Sequence, residues 1–209
     1  LIGSFHPPRE IYSFSFFLET LSEDDIKSGI GEILHYYLIY NSKKTKEISS
    51  SYEEILKDRK LLQSHILESL SIKKRMIEVD EFDKKERNIF NYGHTFGHAI
   101  EVLSNYKISH GRAVTLGMDI ANFISYKKSL ITLERYKELK KMIEKNIPKF
   151  TIKPNMIDKY IKILQKDKKN TKGAVRCILM GENKVSIYSI EDMQYLSLWI
   201  NEYFQKESL

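Results

Sequence analysis

Two stretches of this chain carry residues able to do chemistry in concert. NYGHTFGHAIE, residues 91 to 101, holds two histidines four apart, each preceded by glycine, and SHGRAV, residues 109 to 114, adds a third beside another glycine. On a helix His94 and His98 project from one face, one turn apart. That spacing suits two ligands of a single metal, and equally one ligand plus a substrate-contacting base. Two structural histidines would also satisfy it. A glycine inside a helix costs about 1 kcal/mol relative to alanine, so Gly93 and Gly97 are better explained by close approach of another backbone or a ligand. His110, with Glu32 on a helix beside Gly31, completes a His/His/Glu set. Two imidazoles and a carboxylate with one open position is the usual make-up of a catalytic zinc site.

Helices must position these groups. Ser22 and Asp25 form a capping-box pattern ahead of IKSGIGEILHYYLI, which has helical apolar spacing. NSKKTKEIS reads as a polar loop, followed by a helical region over roughly 51 to 78. Residues 86 to 105 and 111 to 129 read as two helices joined by the turn around NYKISHG. TLERYKELKKMIEKN ends before Pro148, NMIDKYIKILQK is a further short helix, and SIEDMQYLSLWINEYFQ closes the chain as a helix starting at Ser189 or Glu191. Period-2 alternation occurs only in RCILMG and KVSIYS, which predict a hairpin across GEN. The expected fold is mostly α, one domain over residues 1–209 with one small β-hairpin. No strand–GxGxxG–helix unit is present, so these residues encode no dinucleotide site.

Composition narrows the class. The net charge is +6 over 209 residues, but lysines and acids interleave along helical patterns, which points to solvated faces and away from nucleic-acid binding. No apolar run approaches the ~20 residues that span a bilayer. A single cysteine, Cys177, forbids an internal disulfide and fits a cytoplasmic protein. LIGSFHPPREIYSFSFF, apolar and aromatic with no starting Met, reads as the interior of a longer protein.

NYGHTFGHAIE followed by SHGRAVTLGM resembles the C-terminal domain of 3-dehydroquinate synthase, in the sugar-phosphate cyclase superfamily. That family carries N-x-GHTFGHAIE and then HGEAV-x-x-GM. LIGSFHPP with FLETL, GIGEILHYYLI, SIKKRMIEVDEFDKKERNIFN and KDKKNTKGAVRCILM resemble further family blocks, in the same order and across nearly the whole chain. The resemblance implies zinc (or cobalt) held by Glu32, His94 and His110. It implies that Lys73, Arg87, Asn91, His98 and Lys168 meet the substrate, with Lys166 and Lys169 as alternatives to Lys168. A polyanionic sugar phosphate would give the lysines and the arginine their charge partners.

For that family the resemblance further implies a bound NAD, held mainly by an N-terminal NAD-binding domain preceding Leu1, and a homodimer in the full-length form. A free chain of this length would then be inactive alone. Two positions depart from the pattern. His35 stands where the family usually has lysine, altering a substrate or phosphate contact, and Arg112 replaces the acid of HGEAV. These leave open a divergent cyclase with another sugar phosphate. A non-catalytic metal-binding remnant is a further alternative, which retention of all three ligand candidates disfavours.

Overall fold

The computed structural model describes residues 9–80, 86–166, 173–182 and 184–205. Helix α1 (Glu23–Tyr40) begins at the expected capping box: Ser22 accepts from the Asp25 N–H and the Asp25 carboxylate accepts from the Ser22 N–H. The stretch 41–49, expected as a loop, falls largely in helix α2 (Ser42–Ser50). Asn41 caps it by accepting from the Lys44 N–H at 3.2 Å, and Thr45 and Ile48 form a narrow buried stripe. Two buried positions among nine residues gave the polar sequence too faint a period to read.

The helical region expected over 51 to 78 is divided. A short turn, α3 (Tyr52–Ile55), precedes the long α4 (Arg59–Val79), where Asp58 accepts from the N–H groups of Lys60 and Leu61. The helix expected over 86 to 105 is also divided. Glu86–Asn91 is a 3-10 turn, and α5 (His94–Leu103) starts only after Gly93, whose φ of 78° is left-handed. Gly93 therefore sits at the cap and not in a helix interior, in a conformation that side chains resist.

Helix α6 (His110–Lys127) is the axis of the fold. Every residue from Ala113 to Ser125 is buried, as expected of a helix covered on all sides. Against it pack α1, α5, α7 (Leu133–Ile143), a two-stranded sheet and α9 (Met193–Gln205). Strands β1 (Val175–Met180) and β2 (Val185–Ile190) are the expected hairpin, antiparallel with Cys177 opposite Tyr188. The Met180 N–H donates to Ser125 Oγ and fastens the sheet to α6. Helix α8 (Ile157–Gln165) lies on α5, where the Tyr160 hydroxyl donates to the Phe96 carbonyl at 3.0 Å. The cap of α9 is Asp192, accepting from the Gln194 and Tyr195 N–H groups, one residue after Glu191, the residue expected near the helix start. Among the described residues no helix is long and apolar enough to cross a membrane.

Candidate metal centre

Three helices meet at bare backbone. A Cβ built on Gly31 of α1 would stand 2.1 Å from the Gly111 carbonyl oxygen of α6, and one on Gly117 would stand 2.1 Å from the Gly93 carbonyl oxygen. These contacts are possible only without side chains. Each is one residue from a chemical group: Glu32 follows Gly31, His94 follows Gly93, and His110 precedes Gly111. Main-chain contact thus carries the three functional side chains to one point.

At that point Glu32 Oε1 lies 3.2 Å from His110 Nε2 and 3.5 Å from His94 Nε2. The three ligand atoms all fall within 4.8 Å of one another. The far side of each imidazole is engaged as well. His94 Nδ1 is 3.2 Å from the Tyr92 carbonyl oxygen, and His110 Nδ1 is 3.2 Å from both Glu101 carboxylate oxygens. Since carbonyl and carboxylate oxygens only accept, each Nδ1 carries a proton, which leaves Nε2 as the atom that can bind a cation or carry a second proton. Two such nitrogens and a carboxylate oxygen facing one another suit a shared positive charge, either a proton or a metal ion.

Titration reflects the same need. Burial would raise the Glu32 carboxyl, but hydrogen bonds from His110 and His94 outweigh it and hold the group well below the usual carboxylate range. The Glu32 hydrogen bond pushes His110 up to about 9, with Glu101 adding to it against the cost of burial. A bound cation would meet the need directly. An ion with tetrahedral bonds of about 2.1 Å holds its ligands about 3.4 Å apart, close to the 3.2 and 3.5 Å that separate Glu32 Oε1 from the two imidazole nitrogens. The donor set fits a divalent metal such as zinc or cobalt.

The other expected site residues are distributed unequally. His98 stands beside the cluster, its ring centroid 5.5 Å from that of His94 and 5.6 Å from that of His110. With Lys166 it lines a cavity of about 430 Å³ between α5 and α8. Lys168 and Lys169 lie outside the described residues. Asn91 ends the 3-10 turn before Gly93, its amide donating to the Asn88 carbonyl. Arg87 is in the same turn, and Lys73 is exposed on α4.

His35 departs from the substrate contact expected of it. It is 1% exposed, enclosed by Tyr36, Phe90, Tyr92 and His94. Burial, and secondarily His94, push its imidazole down to about 3, so it is neutral. Arg112 is likewise drawn into the scaffold, its guanidinium donating to Asp24 at 2.7 Å. Sequence reasoning gave Glu101 no role. The signal was its place seven residues after His94, on the same helix face.

The sequence model of the family described as 3-dehydroquinate synthase C-terminal matches residues 29–170. This chain belongs to that family. Its dehydroquinate synthase relatives include the enzyme of Dictyoglomus turgidum, 38% identical over 198 residues, which cover 93% of this chain and 55% of the relative. The 3-dehydroquinate synthase of Helicobacter pylori strain P12 is 33% identical over 181 residues, covering 86% and 51%. The chain therefore spans about half the length of the curated relatives it matches.

Two solved synthases share the fold of this chain. A 2-deoxy-scyllo-inosose synthase complexed with carbaglucose-6-phosphate, NAD+ and Co2+ superposes with a TM-score of 0.80 at 24% identity, over 97% of this chain and 59% of that one. The 2-epi-5-epi-valiolone synthase ValA of Streptomyces hygroscopicus, with NAD+ and Zn2+ bound, gives 0.70 at 15% identity, over 90% and 52%.

Proposed function

We propose that this chain is the metal- and substrate-binding half of a 3-dehydroquinate synthase. The reaction would be the phosphate-eliminating cyclisation of a seven-carbon keto-acid sugar phosphate (DAHP) to 3-dehydroquinate, in aromatic amino acid biosynthesis. The observation that carries the reading is the convergence of Glu32 Oε1 with the Nε2 atoms of His94 and His110. These three residues would hold the divalent ion. When bound, the ion polarises substrate hydroxyls and NAD supplies reversible oxidation of one substrate carbon.

The chain's own residues bind, orient and exchange protons. Lys73, Arg87 and Lys168, or Lys166 in its place, pair with the carboxylate and phosphate of the substrate. His98, at the open side of the cluster, holds or accepts a substrate proton, and Asn91 orients a hydroxyl. Phosphate leaves by elimination and an aldol closure forms the carbocycle, with no net redox change. The reading brings with it an N-terminal NAD-binding domain as partner, a full-length homodimer, a cytoplasmic location and little activity in this chain alone. Burial of His35 and pairing of Arg112 with Asp24 favour dehydroquinate formation over another sugar phosphate, because both departures are absorbed by the scaffold.

Metal content and substrate choice test the proposal. The purified chain should hold about one zinc equivalent, and His94→Ala should lose most of it. Joined to an NAD-binding half, the protein should release phosphate from DAHP faster than from other sugar phosphates. Full zinc retention by His94→Ala would defeat the ligand assignment. Preference for another sugar phosphate would make it a divergent cyclase.

A further inference from the structure

We propose that Glu101 is a positioning residue for the metal centre, acting through His110 to fix which edge of that imidazole faces Glu32. The inference rests on the reading of Glu32, His94 and His110 as ligands. The His110 ring is held between two carboxylates: Nε2 is 3.2 Å from Glu32 Oε1, and Nδ1 is 3.2 Å from both oxygens of Glu101. Glu101 can only accept, so it keeps the proton on Nδ1 and leaves the Nε2 lone pair for the cation.

The need for such a device is specific to His110. Its side chain is 45% exposed, against 15% for His94. His94 is confined by the His35 ring, 4.8 Å away between centroids, and by the Tyr92 carbonyl. His110 stacks on His98 with an interplanar angle of 27°. Stacking sets the plane of a ring but not its edge. A half-turn about the Cβ–Cγ bond keeps that plane but puts carbon where nitrogen now faces each carboxylate, and the contacts of Nδ1 with both Glu101 oxygens oppose it.

Glu101 is fixed in turn by helix packing. It lies two turns beyond His94 on α5, its side chain 14% exposed. A Cβ on Gly97 of α5 would stand 2.9 Å from the Ala113 carbonyl oxygen of α6, so the two helices touch between the two residues. Helix α5 therefore supplies one ligand directly and orients the ligand that α6 supplies.

The experiment is a zinc titration of the full chain, with 15N NMR of His110 in the zinc-loaded form. Wild type should bind one equivalent with the proton on Nδ1. Glu101→Ala should bind roughly 10- to 100-fold more weakly, the range for loss of such a partner, and show a mixed tautomer. Glu101→Gln, whose amide oxygen still accepts from Nδ1, should fall between, with circular dichroism unchanged. No zinc binding by wild type would defeat the metal reading itself. Unchanged affinity and tautomer in Glu101→Ala, or an Nδ1 without its proton in wild type, would overturn the inference alone. So would a second zinc equivalent abolished by Glu101→Ala, since His98, Glu101 and His110 also offer ligand atoms within 4.8 Å of one another, and Glu101 would then be a ligand.

Discussion

The imidazole of His35 meets that of His94 edge-on, with centroids 4.8 Å apart and planes at 71°. His35 is thus a wall behind a proposed ligand, neutral because burial pushes it down to about 3. In the unfolded chain it titrates near 6.5. Above that value both states are neutral. Below it the unfolded chain takes up a proton that the folded chain refuses, so stability falls as pH drops from 6.5 towards 3. His35→Gln, of similar length and without this titration, should flatten that part of the curve of melting temperature against pH. An unchanged acid limb would mean that other groups govern it.

Gly29 and Gly31 share one helix and predict opposite outcomes. A Cβ at Gly29 meets nothing within 4 Å, whereas at Gly31 it meets the Gly111 carbonyl oxygen at 2.1 Å. Gly29→Ala should stabilise by up to about 1 kcal/mol through helix propensity. Gly31→Ala should cost about 1–3 kcal/mol or more by forcing α1 from α6, and should weaken zinc binding by moving Glu32. Denaturant unfolding of the two variants, with zinc titration, makes the comparison. Equal stabilities would show that the helices can part without cost.

Metal uptake should release a proton. His110 is pushed up to about 9 by Glu32, so the metal-free chain carries that proton at pH 7 to 8, and a cation on Nε2 displaces it. Calorimetry in buffers of different ionisation enthalpy should give close to one proton per zinc near pH 7.5, and progressively less above pH 9. The same shift has a stability signature. His110 contributes stability to the metal-free chain that is fully present below pH 6.5 and fades as pH rises through 9. A proton count of zero at pH 7.5 would contradict the reading.

A part-buried hydrogen bond helps tie the last helix to the axis. The Tyr203 hydroxyl donates to Asp119 Oδ2 at 2.6 Å, and Asp119 is 0% exposed. Tyr203→Phe removes that donor and leaves the carboxyl only the Tyr136 hydroxyl, which should cost about 1–3 kcal/mol in denaturant unfolding. Lys140 Nζ, at 3.9 Å, is too distant to replace the hydroxyl bond. A change below a few tenths of a kcal/mol would show that the carboxyl is already neutral and self-sufficient.

The sequence was legible where a local rule and the tertiary structure agreed. The capping box at Ser22 and Asp25, the apolar period of α1 and the alternation of the hairpin each forms where local chemistry alone would put it. It was illegible where a long-range contact decided. Helix α2 is helical because Thr45 and Ile48 find partners in the core, and α5 starts at His94 because Gly93 takes a left-handed turn against α6. The histidines and Glu32 could be nominated from residue type. That His35 would be walled in, and that Glu101 would face His110 across two helices, depends on packing that no spacing within one helix reports.

The glycine crossings also say what it would take to move this centre elsewhere. Its proposed ligands stand next to places where main chain touches main chain, at Gly31 against Gly111 and at Gly93 against Gly117. Helical bundles with axes about 8–10 Å apart hold metals through side chains that reach the middle. A glutamate and two histidines copied onto one would keep their residue types and lose the spacing that these crossings set. A designer would have to choose the crossings first, stripping three helices to backbone where they meet. The ligands would then be the simplest part of the transplant.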